Sequence, residues 1–180
     1  MLRSDAALRR DQILDAADAV FSSHGVTAPL ELVVARAGVG RATLYRNFPD
    51  RAALMDALLE RALGGLEDGA AGQDLFALLE RVALRIAESP AVTDYWRAVQ
   101  PGHPMARYGH DRLARLFRAP LAAGIASGAC RPDLRPADIA LACGMLGAAL
   151  RGSTPSRRRA QARRALALLT GGIAAPARRR

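Results

Sequence analysis

Along residues 5–24 the apolar positions Leu8, Ile13, Ala16, Ala17, Val20 and Phe21 recur mostly three or four apart. This spacing predicts an amphipathic helix, and Gly25 after His24 is a natural stop. Leu30, Val33, Val34 and Ala37 repeat the pattern after Pro29, whose fixed φ suits a first helical turn. They predict a short second helix ending at Gly38. Val39-Gly40 reads as a tight turn, and a third helix is expected from about Arg41 to Phe48, closed by Pro49. Asp50 can cap a fourth helix carrying Leu54, Leu58 and Leu59, which should fade at Gly64-Gly65.

The glycine-rich stretch from Gly65 to Gly72 is the expected boundary between two bodies, residues 1–63 and residues 66–180. Helical spacing continues beyond it. Leu75, Leu78, Leu79, Val82 and Ile86 share one face of residues 73–88, and a shorter element over 91–99 carries Tyr95 and Trp96. A helix from about Met105 towards Ala126 should bend or break at Pro120. The last two helices are expected over 136–151 and 156–170. No strand alternation or internal repeat interrupts this, so the expected class is all-α.

Composition agrees: 51% of the residues are hydrophobic and only 4% aromatic, with alanine and leucine dominant. The first twenty residues alternate Arg and Asp with apolar positions and offer no signal-peptide core. The longest apolar run, Ile139 to Leu150, is far short of the roughly 20 residues of a membrane span. Cys130 and Cys143 have neither metal nor redox spacing. The expectation is a reduced, cytoplasmic protein that uses no membrane.

Charge changes the picture only once it is divided. The net +9 arises almost wholly in residues 151–180, which hold 9 Arg and no acid, whereas residues 1–60 hold 7 Arg against 8 Asp and Glu. All 26 basic residues are Arg, which reads as coding bias rather than as bidentate chemistry. Locally, however, Arg36, Arg41, Arg46 and Arg51 fall within sixteen residues that contain one acid, Asp50.

Two short helices joined by a glycine-bearing turn form the helix-turn-helix pattern. On the third helix, Leu44 and Phe48 share the face that would pack inward. Ala42, Thr43 and Arg46 point the other way, flanked by Asn47 and Tyr45. Small, hydroxyl and guanidinium groups on one arc suit a DNA major groove, where Arg pairs with guanine and Thr meets a thymine methyl or a phosphate. Tyr45 and Asn47 can donate to phosphates, and Arg51 can add another such contact.

The stretch GVTAPLELVVARAGVGRATLYRNFPDRAAL, residues 25–54, resembles the helix-turn-helix signature of the TetR family of bacterial transcriptional regulators. The resemblance implies a three-helix DNA-binding head. It places Arg41, Ala42, Thr43, Tyr45, Arg46 and Asn47 on the DNA-facing helix and Arg51 on phosphate. The sequence departs from the family at Gly40, where a capping Ser is common, and at Asn47, often His. Its spacing from Gly25 to Gly38 is shorter than the commonest form.

Residues 66–180 carry no catalytic constellation, cofactor motif or metal spacing, and His24, His103 and His110 are far apart. The expectation is a non-enzyme without a cofactor. GACRPDLRPADIALACGMLGAALRG and RRRAQARRALALLTGGI resemble the last two helices of the same family. That implies a ligand-binding and dimerisation body whose final helices pair with a second copy. Ala140, Gly144, Gly147, Ala148 and Arg151 lie at three- and four-residue steps, and Ala162, Leu166 and Leu169 form a stripe on the last helix. These are the candidate homodimer interface. Tyr95, Trp96, Met105, Tyr108, Phe117 and Met145 are the larger side chains that could line a pocket for a small-molecule effector. The resulting expectation is a ligand-responsive repressor bound as a homodimer to a palindromic double-stranded operator. The rival expectation is a non-specific nucleic-acid-binding protein acting through its Arg-rich tail.

Overall fold

The computed structural model describes residues 5–98, 104–149 and 154–174, and every regular element among them is an α-helix. The order is α1 (Asp5–His24), α2 (Leu30–Ala37), α3 (Arg41–Asn47), α4 (Arg51–Glu67), α5 (Leu75–Glu88), α6 (Pro90–Ala98), α7 (Pro104–Ala126), α8 (Pro136–Ala149) and α9 (Pro155–Ile173). An isolated antiparallel bridge joins Cys130 to Ala174.

The chain divides into two units, residues 1–62 with 89–98 and residues 63–88 with 99–180. The division therefore falls inside α4 and returns α6 to the first unit. The sequence pattern had put one boundary at the glycines and α6 in the second body. Side-chain pairing explains the return: Ala91 is buried in the first core, the Tyr95 hydroxyl donates to Asp56 Oδ1 at 2.7 Å, and Ser89 Oγ donates to Asp18 Oδ1 at 2.7 Å. Burial and the Asp56 carboxylate push the Tyr95 phenol well above its usual range.

The first core gathers Ile13, Ala17 and Phe21 from α1, Val33 and Ala37 from α2, Leu44 from α3 with Phe48 after it, and Leu54, Met55 and Leu58 from α4. Leu8, although in phase with the α1 stripe, is exposed. Helix α2 ends in a Schellman motif. Gly38 adopts φ 62°, its N–H donates to Ala35 O, and the Val39 N–H donates to Val34 O at 3.3 Å. Asp50 caps α4 by accepting from the Ala53 N–H at 2.8 Å, as its position before an apolar stripe suggests.

In the second unit α5 packs on α9, α8 and α7, around Leu75, Leu78, Leu79, Phe117, Leu121 and Ile173. The fading expected at Gly64-Gly65 and the break expected at Pro120 do not occur, for the same reason. Helix α4 does not fade at Gly64-Gly65 but continues to Glu67, because Leu66 is buried and Arg81 donates to the carbonyls of Gly65 and Gly69 at 2.7 and 2.9 Å. Helix α7 is assigned unbroken through Pro120, where the core residues Phe117 and Leu121 hold both sides. Packing outweighs local propensity at both places.

Candidate nucleic-acid interface

Helix α3 is held by a few specific bonds. Gly40 accepts from the N–H groups of Thr43 and Leu44 at 2.9 and 3.2 Å, and no side chain caps this end. Leu44 and Phe48 are fully buried against α1, α2 and α4 residues. From α1, Gln12 Nε2 donates to Ala37 O at 2.8 Å, and Arg10 donates to Asn47 O at 3.1 Å while lying 4.3 Å over the Phe48 ring. Both ends of the turn-helix segment are thus tied to α1.

What this leaves outward is the arc read from the sequence. Arg41, Ala42, Tyr45 and Arg46 are exposed, and Thr43 and Asn47 are half-buried. Within the arc, Arg46 Nη2 donates to Thr43 Oγ1 at 3.2 Å, and the Asn47 amide donates to Thr43 O at 2.8 Å. Arg41 lies 5.8 Å over the Tyr45 ring and pairs with Glu31 at 3.2 Å. Glu31 and Arg10 had no sequence signal, since both reach α3 from other helices. The arrangement presents guanidinium, hydroxyl and methyl groups on a rigid seven-residue helix, chemistry suited to base edges and phosphates.

Arg51 is placed differently from its sisters. Its Nη1 donates to Val26 O at 2.7 Å and its guanidinium sits 5.4 Å over the buried Phe21 ring. It joins the start of α4 to the loop after α1, a structural task that the sequence reading did not foresee.

The six candidate pocket residues are divided between the two units. Tyr95 and Trp96 belong to the first unit, Phe117 is fully buried in the second core, Met105 is half-buried, and Tyr108 and Met145 are exposed. A groove of ≈ 570 Å³ on the second unit is lined by Glu80, Arg81, Arg85 and Glu88 of α5, together with Gln73 before it and Gly65 of α4.

The candidate interface residues differ in exposure. Ala140, Gly147 and Ala162 are buried, the Ala140 and Ala162 side chains within the protein's own packing, and Leu166 and Leu169 are half-buried against the same clusters. Gly144 is half-buried and Ala148 exposed, while Arg151 and the terminal arginines lie outside the described residues. From α5, Ala83 and Ala87 pack with Leu146 of α8 and Ala162 of α9, while the space beside Gly144 is open. On α8 and α9 the large apolar side chains left exposed are Leu141, Met145 and Leu168, at 62, 54 and 66%. Among the described residues no helix is long and apolar enough to cross a membrane.

Residues 13–58, which span α1 to α4, match the family model for bacterial regulatory proteins of the tetR family. No curated protein sequence matches the chain. Among solved structures, the TetR transcriptional regulator SCO0520 from Streptomyces coelicolor is 32% identical over 93% of this chain and 99% of its own, with a TM-score of 0.63. SmeT, the repressor of the Stenotrophomonas maltophilia multidrug efflux pump SmeDEF, shares the fold at 21% identity, covering 93% of this chain and 91% of its own, with a TM-score of 0.65. The ketosteroid transcriptional regulator KstR2 of Mycobacterium tuberculosis does so at 20% identity, 98% of both chains and a TM-score of 0.58. With a relative of this identity aligned over nearly its whole length and the family signature in its helix-turn-helix head, the chain belongs to the TetR family of bacterial transcriptional regulators.

Proposed function

We propose that the protein binds a palindromic operator as a homodimer, represses a gene there, and is released by a small-molecule effector. One observation carries the DNA-binding part: α3 buries Leu44 and Phe48 completely and turns Arg41, Ala42, Tyr45 and Arg46 to solvent. In this reading Arg46, oriented by Thr43, reads a guanine edge, and Ala42 and Thr43 meet methyl groups or phosphates. Tyr45 and Asn47 set register on the backbone, and Arg51 ties the start of α4 to the loop after α1. A single short helix covers few base pairs, so two copies are needed for a usable half-site pair. Repression follows the activity named for SmeT, and an effector of partly apolar character follows KstR2's association with ketosteroids.

The test is selection of bound sequences from a random duplex pool at about 0.15 M salt, close to physiological ionic strength. A two-fold symmetric motif supports the reading. Binding without a motif that disappears as salt rises rejects it in favour of the non-specific, tail-driven alternative.

A further inference from the structure

Of the two arginines on α3, one already has an anion. Arg41 Nη2 stands 3.2 Å from Glu31 Oε1, with both side chains largely exposed, at 68 and 59%. Tyr45 lies on another side of the guanidinium, 5.8 Å from the ring centroid. Arg46, by contrast, is held by the neutral Thr43 hydroxyl. Glu31 sits in the first turn of α2, where a carboxylate is favoured by the helix dipole. It therefore stays in place at little cost when Arg41 leaves.

We propose that Glu31 is a specificity-determining residue: an internal competitor for Arg41 that suppresses binding to non-operator DNA. The assignment rests on the operator reading above. An exposed ion pair is weak, so a DNA acceptor of good geometry can displace the carboxylate. A guanine edge offers Arg two acceptors in its own plane. On a duplex without that base only phosphate competes for Arg41; Glu31 offsets part of that contact, and its carboxylate repels the backbone. Discrimination then comes from a repulsive element beside an attractive one. The charge distribution makes such a device consequential, because residues 1–60 hold 8 acids against 7 Arg and few cations are available to this head.

The experiment compares wild type, Glu31→Gln, Arg41→Gln and the double variant as full chains, on the selected operator and on a scrambled duplex, across a salt series. Thermal melting confirms that each is folded. Glu31→Gln is expected to tighten the scrambled duplex by up to about fivefold, a surface ion pair's worth, and the operator by less, lowering the specificity ratio. The slope of log K against log salt on scrambled DNA should steepen by about 0.9, one further phosphate contact. In the Arg41→Gln background neither the slope change nor the loss of ratio should occur. Equal tightening of both duplexes, or the same slope change without Arg41, overturns the assignment and leaves Glu31 as mere surface charge. A wild type that does not distinguish operator from scrambled DNA sinks the operator reading itself, and the assignment with it.

Discussion

Arg112 grips the carboxylate of Glu67 with two nitrogens, Nε donating to Oε1 at 2.8 Å and Nη2 to Oε2, while Nη1 donates to the Tyr108 hydroxyl at 3.2 Å. Arg112 is the buried charged residue of the described chain, with its side chain 10% exposed, and Glu67 is the last residue of α4. A carboxylate at a helix C-terminus opposes the dipole, so its placement is explained by its partner rather than by its own helix. The bidentate pair fixes the end of α4 on α7.

Removing one partner strands the other. Glu67→Ala should destabilise the protein by about 1–3 kcal/mol in urea unfolding, below the full cost of breaking a buried pair because Glu67 is itself 40% exposed. Arg112→Met should cost less, since it removes the buried charge along with the bond. The Arg112 hydrogen bonds hold the Glu67 carboxyl below its ordinary value of 4.5. A depressed folded value means that this stabilisation is full above about pH 4.5 and is lost as pH falls below it. Wild type should therefore lose more stability than Glu67→Gln between pH 5 and the acid limb, roughly the range over which a paired carboxylate titrates. Parallel pH profiles would refute a role for the pair.

Arg51 should behave as a brace. Arg51→Gln removes the bond to Val26 O and the cation–π contact with Phe21, which together are worth on the order of 1–3 kcal/mol. The expected result is a lower melting temperature with an unchanged salt slope of DNA binding for the folded protein. A slope shallower by about 0.9 at unchanged stability would instead make it a phosphate contact.

Arg51 and Arg41 also mark where sequence legibility ends. The inward pair Leu44 and Phe48, the stop at Gly38 and the cap at Asp50 were readable because each depends on residues within one helical turn. The Arg51 bond to Val26, 25 residues away, and the Glu31–Arg41 pair depend on how helices cross, which periodicity does not encode. The small-residue stripe of α8 shows a different limit. Spacing identifies a face that another helix can approach closely, but Ala140 and Gly147 serve equally well whether that helix belongs to the same chain or another. Pocket residues were least legible, because size alone does not separate the buried Phe117 from the exposed Tyr108 and Met145.

Both cysteines should be inert. Cys130 and Cys143 are buried, and burial pushes the Cys143 thiol up to about 12 and raises that of Cys130, which also lies near Asp74. The thiolate is the reactive form, so neither should react at neutral pH. Labelling with a thiol reagent at pH 7.5 should be slow in the native protein and rapid after addition of denaturant. DNA binding should be unaffected by mild oxidant. Fast labelling of the folded chain would contradict the burial.

Leu141 and Met145 project from consecutive turns of α8 and Leu168 from α9, each more than half exposed, with Ala148 extending the α8 row. Apolar area of this kind contributes about 25 cal/mol per Å² when removed from water, and a second copy presenting the same face would cover it self-complementarily. Introducing charge there tests the homodimer without touching the protomer's own core. Leu141→Glu combined with Met145→Glu should leave the helical content and the melting transition of the monomer intact, because neither side chain is buried in it. Sedimentation equilibrium should show the dimer population falling sharply, and operator affinity should fall with it, since each monomer then holds one half-site. Ala140→Glu, at a position buried within the chain, should instead unfold the second unit. If the double variant remains dimeric at micromolar concentration, the copies associate through another surface, and the exposed α8 row has to be explained by a different partner.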